Sequence, residues 1–234
     1  MRARTRILEA AMRVFRRHGF RRSSIEQAAE AAGLTRQALY HHFKSKEALF
    51  RAVIEQLHEN ALAAEIAAAD AEEKAGGSLA DILVAEVTGR LRQIIASFDG
   101  SPHIEELFSE HLVQARDLYQ KYAAFYGKQL VATIERVCRK QPLILAQGMS
   151  SRDLARCIEM AISGTKSVHP AMQPADAFLK DLEIMVRTLV AGAVSPSPKP
   201  RPVKPAIAKK SIRATLEIAN EHDDDQRPHR APPR

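Results

Sequence analysis

The sequence predicts an all-α protein in two parts: an N-terminal three-helix unit containing a helix-turn-helix, and a C-terminal helical bundle. Three observations favour this fold class. Apolar residues recur three and four positions apart through most of the first 194 residues, which is the period of an amphipathic helix. The chain has only 10 glycines and 5% aromatic residues, a composition that favours helices. Ser or Thr before the apolar segments, and Gly or Pro after them, divide the chain into separate helices.

The first two helices have recognisable ends. A helix over about 5–18 has one apolar face and stops at Gly19, since glycine tolerates the left-handed conformation that often ends a helix. The second helix is expected to begin after Ser23 or Ser24, because each is followed three positions later by Glu or Gln, the spacing of a capping box. Gly33 ends this helix and opens a turn.

The remaining helices follow from similar signals. Thr35 is the expected cap of a short third helix, and Ser45 that of a long fourth helix that fades by Lys74. No alternating pattern indicates a strand. Five more helices are predicted over 78–98, 102–115, 117–140, 151–166 and 175–193.

Charge is distributed unevenly along the chain. Residues 1–52 carry twelve Lys or Arg against four Asp or Glu, and residues 53–194 carry fourteen against nineteen. A basic N-terminal part on an acidic remainder is typical of a protein that binds a polyanion. Charge alone does not distinguish DNA from RNA or from an anionic membrane surface.

The chain divides into three predicted regions. Residues 1–50 form the helix-turn-helix domain, here called the head, and residues 51–194 form the helical bundle, here called the body. Residues 195–234 are rich in Pro and basic residues and are predicted to be a disordered tail. Two interpretations of the tail stay open: an arm that adds non-specific DNA affinity, and a dispensable extension.

Several features indicate a cytoplasmic protein without a cofactor. The apolar segments are interrupted by charges every few residues, so neither a signal peptide nor a membrane contact is expected. Cys138 and Cys157 have no partner at metal-binding spacing. They are interpreted as reduced thiols of a cytosolic protein, with a redox-sensing pair as the alternative. No metal ion is expected.

The segment from Ser24 to His41 has the order helix, turn, helix. In this geometry the second helix enters the major groove of DNA, and side chains near its start read the base edges. Arg suits guanine, Gln suits adenine, and Thr and Tyr suit phosphate or the thymine methyl group. The candidate DNA-reading residues are Thr35, Arg36, Gln37, Tyr40 and His41.

About fifty N-terminal residues closely resemble the DNA-binding domain of TetR/AcrR-family transcriptional repressors. The resemblance depends on apolar positions in the first helix with Gly19-Phe20, on Ser23-Ser24-Ile25, and on a nearly continuous run from Ala32 to Leu49. Its most specific part is Leu39-Tyr40-x-x-Phe43 followed by Lys-Ser-Lys-Glu. Two positions depart from the family pattern: Gln37, where Gly or Pro is frequent, and Ala28, where a larger aliphatic residue is usual.

The resemblance implies an all-helical homodimer of about nine helices per subunit that binds double-stranded DNA. It also implies a body that dimerises and often holds a small-molecule effector, whose binding shifts the spacing of the two heads. By position, Ser24 matches a helix cap that touches phosphate, and Lys46 matches a phosphate-binding lysine. Thr35, Arg36, Gln37, Tyr40 and His41 match turn and recognition-helix positions.

The resemblance also locates two sites in the body. The last two helices are expected to form the dimer interface, although stripes as broad as theirs also suit an ordinary core. The predicted interface residues are Leu154, Ile158, Ile162, Phe178, Leu182, Met185 and Leu189. A ligand pocket is expected among the helices over 78–140, where each candidate is alternatively core or surface. The predicted pocket residues are Phe98, Phe108, His111, Leu112, Tyr119, Tyr122, Phe125 and Tyr126.

The leading hypothesis is a homodimeric repressor that binds a partly palindromic operator and is released by a small apolar ligand. The alternative is a ligand-independent DNA-binding regulator, or an activator, controlled by a protein partner. An enzyme is not expected, because the sequence has no GxSxG, HExxH, phosphate loop or paired acidic motif. An RNA-binding module is not expected either, since the aromatic signatures of RNA-reading sheets are missing.

Overall fold

The computed structural model describes residues 3–197 and confirms the all-α fold class. Over that range the chain forms nine α-helices, a 3₁₀ turn at Pro170–Met172 and two three-residue strands. The helices are α1 (Ala3–Arg22), α2 (Ile25–Ala31), α3 (Arg36–His42), α4 (Lys46–Lys74), α5 (Leu79–Phe98), α6 (Ile104–Gln114), α7 (Arg116–Lys140), α8 (Ser151–Val168) and α9 (Ala175–Ala193). The strands are β1 (Leu143–Leu145) and β2 (Val194–Pro196).

The helix ends follow the local signals in the sequence. α1 is interrupted at Gly19, whose φ of 75° is in the left-handed region that favours glycine. Ser24 rather than Ser23 caps α2, and it forms a capping box with Gln27. Ser23 is buried, and its hydroxyl donates to the carbonyl of Gly19. The choice between the two serines thus depends on how the end of α1 packs.

The two strands are not predicted by the sequence. β1 and β2 pair antiparallel, with Ile144 opposite Ser195. Three residues are too few for an alternating pattern, and the pairing joins segments about fifty positions apart. Ser195 and Pro196, which the sequence analysis placed in the tail, therefore lie in a strand. The rest of the predicted tail, 198–234, lies outside the described residues.

Helix α4 connects the head to the body. It packs against α1 in the head and along α5 in the body, and α5 in turn packs against α7 and α9. The apolar core is continuous from Ile7 to Ala193. None of the described helices combines the length and apolar character that a membrane span requires.

Candidate nucleic-acid interface and ligand cavity

The turn between α2 and α3 is held by backbone geometry and by two side-chain caps. Gly33 has a φ of 68°, which lets the chain reverse. The amide of Leu34 donates to the carbonyl of Ala29 over 2.9 Å. Thr35 caps α3, because its Oγ1 accepts from the amide of Ala38 over 3.1 Å. These contacts fix the direction in which α3, the recognition helix, leaves the turn.

The structure places the predicted DNA-reading side chains along one side of α3, from its N-cap to its last turn. Four of them are exposed and Tyr40 is half-buried, whereas Leu39 on the opposite side is 0% exposed. Leu39 and Phe43 hold the helix against the core of the head. The exposed residues are Thr35, Arg36, Gln37 and His41. Ser24 lies at the start of α2, where its side chain is occupied as the cap.

Arg36 is oriented by neighbours within the head. Its Nε lies 2.8 Å from a carboxylate oxygen of Glu26 on α2. Its guanidinium carbon lies 5.4 Å from the centre of the Tyr40 ring. A guanidinium held over an aromatic ring keeps its planar donor edge in a fixed direction, which suits bidentate contact with a base or phosphate.

Lys46 does not have the role that the sequence analysis gave it. Its Nζ donates to the backbone carbonyls of Phe20 (3.0 Å), Arg21 (3.3 Å) and Ser23 (3.1 Å). An ammonium group has three hydrogens, so these contacts occupy all of them and leave none for a phosphate. The predicted phosphate contact is therefore corrected to a structural role. Lys46 joins the start of α4 to the connection between α1 and α2.

Arg4 is a residue that sequence reasoning missed. It is exposed near the start of α1, and its guanidinium carbon lies 5.1 Å from the centre of the Phe43 ring at the end of the recognition helix. The basic N-terminal stretch was the only signal for it. By contrast, Arg16 and Arg21 contact the body: Arg16 donates to the carbonyl of Asp99, and Arg21 pairs with Glu110.

A cavity of about 260 Å³ lies in the body. α4, α5, α6, α7, α8 and the connection between α8 and α9 each supply part of its wall. Five of the eight predicted pocket residues line it: Phe108, His111, Leu112, Tyr119 and Tyr126.

Three predicted pocket residues lie elsewhere. Phe98 is 1% exposed and packs against Phe108, with ring centres 5.0 Å apart, so it supports the wall from behind. Tyr122 stacks on the ring of His58 at 4.8 Å. Phe125 is 41% exposed on the outer side of α7. An aromatic residue in a helical stripe does not reveal whether its helix face meets a cavity or solid core, which explains these errors.

A buried chain of hydrogen bonds forms one part of the cavity wall. Nδ1 of His58 lies 2.8 Å from the hydroxyl of Tyr126, and Nε2 of His58 lies 3.0 Å from Nε2 of His111. Burial lowers the pKa of His58 to about 3 and that of His111 to about 4. Both imidazoles are therefore neutral at pH 7, and one of the two facing Nε2 atoms must donate to the other.

Two cations from other helices continue this polar wall. The guanidinium carbon of Arg90 lies 4.2 Å from the centre of the Tyr126 ring, and its Nη1 lies 3.5 Å from Glu65 and from Glu159. Lys166 on α8 also lines the cavity, and burial lowers its pKa to about 8. The sequence analysis missed these residues, although a histidine and an arginine among the apolar positions of α4 and α5 were a signal.

The predicted dimer interface requires a correction. Leu154, Ile158, Ile162, Phe178 and Leu182 are each at most 3% exposed within one chain. They form the core between α5, α8 and α9, so they are not available to a partner. The sequence analysis identified the apolar stripes of α8 and α9 correctly. The helical period does not show whether such a stripe packs inside one chain or against a second chain.

Only two of the predicted interface residues reach the surface. Met185 is 45% exposed and Leu189 is half-buried. They border an open groove between the outer faces of α8 and α9, here called the outer face. The other residues that line it are Cys157, Met160, Ala161, Gly164, Thr165, Val168, Asp181 and Ile184.

The fold and the exposed recognition helix define a helix-turn-helix protein with an all-helical body. Residues 7–53 match the family model described as bacterial regulatory proteins, tetR family. Over 60 residues the chain is 47% identical to the HTH-type transcriptional regulator UidR of Escherichia coli K12, covering 26% of this chain and 31% of UidR. Over 56 residues it is 45% identical to the regulator TtgR of Pseudomonas putida, covering 24% of this chain and 27% of TtgR.

Solved structures of similar fold cover both the head and the body. SmeT, the repressor of the Stenotrophomonas maltophilia multidrug efflux pump SmeDEF, has a TM-score of 0.56 at 21% identity, over 86% of this chain and 96% of SmeT. A TetR-family transcriptional regulator from Cytophaga hutchinsonii has a TM-score of 0.57 at 18% identity, over 81% and 94%. At such identities the similarity shows the fold alone.

Residues 7–53 of the head are thus similar to the tetR family of bacterial regulatory proteins, and the curated relatives that match this stretch are HTH-type transcriptional regulators. The curated relatives match this chain over less than a third of their own length. The sequence similarity is thus concentrated in the head, whereas the body resembles its structural neighbours in architecture.

Proposed function

We propose that the chain is a homodimeric transcriptional repressor that binds a partly palindromic DNA operator through its recognition helix. The observation that carries this proposal is the exposed end of α3, where Arg36 and Gln37 extend from a turn fixed by Gly33 and Thr35. Such side chains can form bidentate contacts with guanine and adenine in the major groove. Arg4, beside Phe43 at the other end of α3, and Ser24, at the start of α2, are proposed to contact phosphates.

The proposed dimer uses the outer face. Four of its five largest apolar side chains are widely exposed: Met160 (56%), Val168 (73%), Ile184 (54%) and Met185 (45%). A contiguous apolar surface of this kind is typical of an interface. A second copy is the proposed occupant, because two copies related by two-fold symmetry would present two recognition helices to inverted half-sites.

The proposed release by a small molecule uses the cavity. Helix α6 contributes Phe108, His111 and Leu112 to its wall. The same helix contacts the head, where Glu110 lies 2.9 Å from Nε of Arg21. No side-chain hydrogen bond caps the N-terminus of α6. A ligand that displaces α6 would therefore displace α1, and with it the recognition helix.

The proposal is tested by selecting binding sites from bacterial genomic DNA with the purified full-length chain at near-physiological salt. We expect a motif with two inverted half-sites. Arg36→Ala should weaken binding to the selected operator by about ten-fold or more and relax specificity at one position, since a bidentate arginine contact contributes roughly 1–3 kcal/mol. Arg92→Ala, which removes an exposed arginine in the body, is the matched control.

Other outcomes of the selection contradict parts of the proposal. Binding that weakens steeply with salt and yields no motif would overturn sequence-specific recognition. A single unpaired half-site would overturn the dimer. Specific paired sites that no small molecule releases would favour the alternative of a ligand-independent regulator controlled by a protein partner.

A further inference from the structure

The walls of the cavity differ in chemistry. One part is apolar and comes from α5, α6, α8 and the connection between α8 and α9. Another part carries the His111–His58–Tyr126 hydrogen-bond chain with Arg90, Glu159 and Lys166. A cavity lined in this way suits an amphipathic molecule better than a purely apolar one. The apolar residues are Leu91, Ile94, Phe108, Leu112, Ile162 and Met172.

The polar wall carries more positive than negative charge. Arg90 and Lys166 are cations, and both histidines are neutral near pH 7. Glu159 is the one carboxylate from residues 3–197 that lines the cavity, and it already lies 3.5 Å from Nη1 of Arg90. A cationic ligand would therefore meet two like charges and one carboxylate, whose Oε1 lies near Nη1 of Arg90 but accepts no hydrogen bond from residues 3–197.

Lys166 is the cation without a counter-ion. No carboxylate oxygen from residues 3–197 lies within 4.0 Å of its Nζ. Lys166 is half-buried, and an ammonium that loses its remaining hydration when a ligand binds is costly unless the ligand supplies an anion. A neutral ligand would leave that cost in place, whereas a carboxylate would remove it.

We propose that the cavity binds a small amphipathic carboxylate whose anionic group pairs with Lys166 and whose apolar body packs against α5 and α6. This inference rests on the proposed effector site and specifies its ligand class. The cavity of about 260 Å³ is slightly smaller than the roughly 300–1,000 Å³ of typical ligand pockets. The ligand is accordingly a monocarboxylic acid with one aromatic ring or a medium-length alkyl chain.

The hydrogen-bond chain is compatible with an anion. When the hydroxyl of Tyr126 donates to His58, Nε2 of His58 donates to His111, and the remaining hydrogen of His111 is on Nδ1. Among residues 3–197 that Nδ1 has no hydrogen-bond partner. His111 lines the cavity, so this tautomer offers a neutral N–H donor in addition to the ammonium of Lys166.

The test compares probes that share a skeleton and differ only in head-group charge. Octanoate, octanamide and octylammonium form one set, and 3-phenylpropionate with its amide and amine forms the other. Affinities for the purified full-length chain are measured at pH 7 by isothermal titration and by thermal shift, without DNA. We expect at least one carboxylate to bind roughly ten-fold or more tightly than its amide and its amine.

Variants of Lys166 identify the source of the preference. Lys166→Met keeps the length of the side chain and removes its charge, so carboxylate affinity should fall by about ten-fold while amide affinity changes little. Lys166→Arg should retain the preference for carboxylates. Lys128→Met, which removes an exposed lysine of α7, should change neither affinity. The comparison among probes in the unaltered chain needs no variant, so a folding defect in Lys166→Met would not obscure it.

Two results would overturn the inference: amides or amines that bind as tightly as the carboxylates, or no binding by any probe. Parallel measurements of operator affinity separate this inference from the proposed function. Carboxylate binding without any change in DNA affinity would support the ligand class and overturn release by a ligand. Operator release by an amine or amide would support release and overturn the carboxylate.

Discussion

In the head, the polar side chains of the recognition helix face solvent, whereas in the body a group of polar side chains from α4 to α8 is buried at or near a cavity. Arg36 and Gln37 are exposed, but Arg90 is only 3% exposed and Glu65 is fully buried. The pKa values reflect this difference. Burial lowers the pKa of His58 to about 3 and raises the pKa of Glu65 to about 8.

The difference teaches which kind of partner each region can recognise. Exposed polar side chains beside a fixed turn can contact a large polyanion, and they lose their hydration only when it binds. Buried polar side chains have already lost their hydration, so a small ligand that completes their pairing gains specificity. The two regions are joined by α4 and α6, which contact both.

The largest expected effect is on the stability of the body. Arg90→Met removes the guanidinium between Glu65 and Glu159 and leaves the buried carboxyl of Glu65 without its hydrogen-bond donor. We expect the free energy of unfolding to fall by about 3 kcal/mol, because a buried polar group loses its partner and the contact of Arg90 with the Tyr126 ring is lost as well. Chemical denaturation of the full chain measures it. Arg92→Met, two positions along α5 but exposed, should change stability by less than about 0.5 kcal/mol. An equal loss of stability in Arg90→Met and Arg92→Met would contradict the difference between buried and exposed polar side chains.

The second largest expected effect is also on stability, and it concerns a polar side chain of the head that stabilises the fold. Lys46→Met removes the donor to three backbone carbonyls. We expect it to lower the free energy of unfolding by about 2 kcal/mol, the magnitude for lost hydrogen bonds to a charged group.

The salt dependence of DNA binding separates this structural role from a phosphate contact. The slope of log affinity against log salt should stay unchanged in Lys46→Met, because Lys46 has no hydrogen left for a phosphate. A slope reduced by about 1 would restore the phosphate contact. Lys44→Met removes an exposed positive charge nearby and should leave stability unaltered.

The smallest expected effect is a pH dependence that the body alone produces. Burial raises the pKa of Glu65 to about 8 and that of Glu86 to about 7. These carboxyls keep their protons in the folded chain after the unfolded chain has lost them, so their contribution to stability is lost as pH rises through the folded pKa. His58 and His111 act in the opposite direction, but only below about pH 6.5. The free energy of unfolding should fall by roughly 1 kcal/mol per pH unit between pH 6.5 and 7.5. Between pH 7.5 and 8 the fall should become smaller, because Lys166, whose pKa burial lowers to about 8, acts in the opposite direction there.

Denaturation at four pH values over that window measures the slope. Glu65→Gln should flatten it, because the amide does not titrate. Glu59→Gln, which replaces an exposed carboxyl six positions earlier on α4, should leave it unchanged. A stability that is constant or rises from pH 6.5 to 8 would show that these carboxyls are hydrated and not buried.

The sequence predicted much more of the head than of the body. The helix ends and the exposed set around Arg36 follow from residues within a few positions of one another, such as Ser24 with Gln27 and Thr35 with Ala38. The role of Lys46 was wrong, because its acceptors lie more than twenty positions earlier in the chain. In the body, Lys166 was missed because the rest of the cavity wall comes from distant helices.

Local chemistry by itself determined the nine helices, the helix-turn-helix and the polar character of the recognition helix. It could do so because caps, glycine turns and apolar periods act over three or four residues. Only the tertiary structure decided which apolar stripe of α8 and α9 is internal, that β1 pairs with β2, and which polar groups meet at the cavity. Those outcomes depend on contacts between segments far apart in the chain, and a helical period contains no information about which neighbour a face will meet.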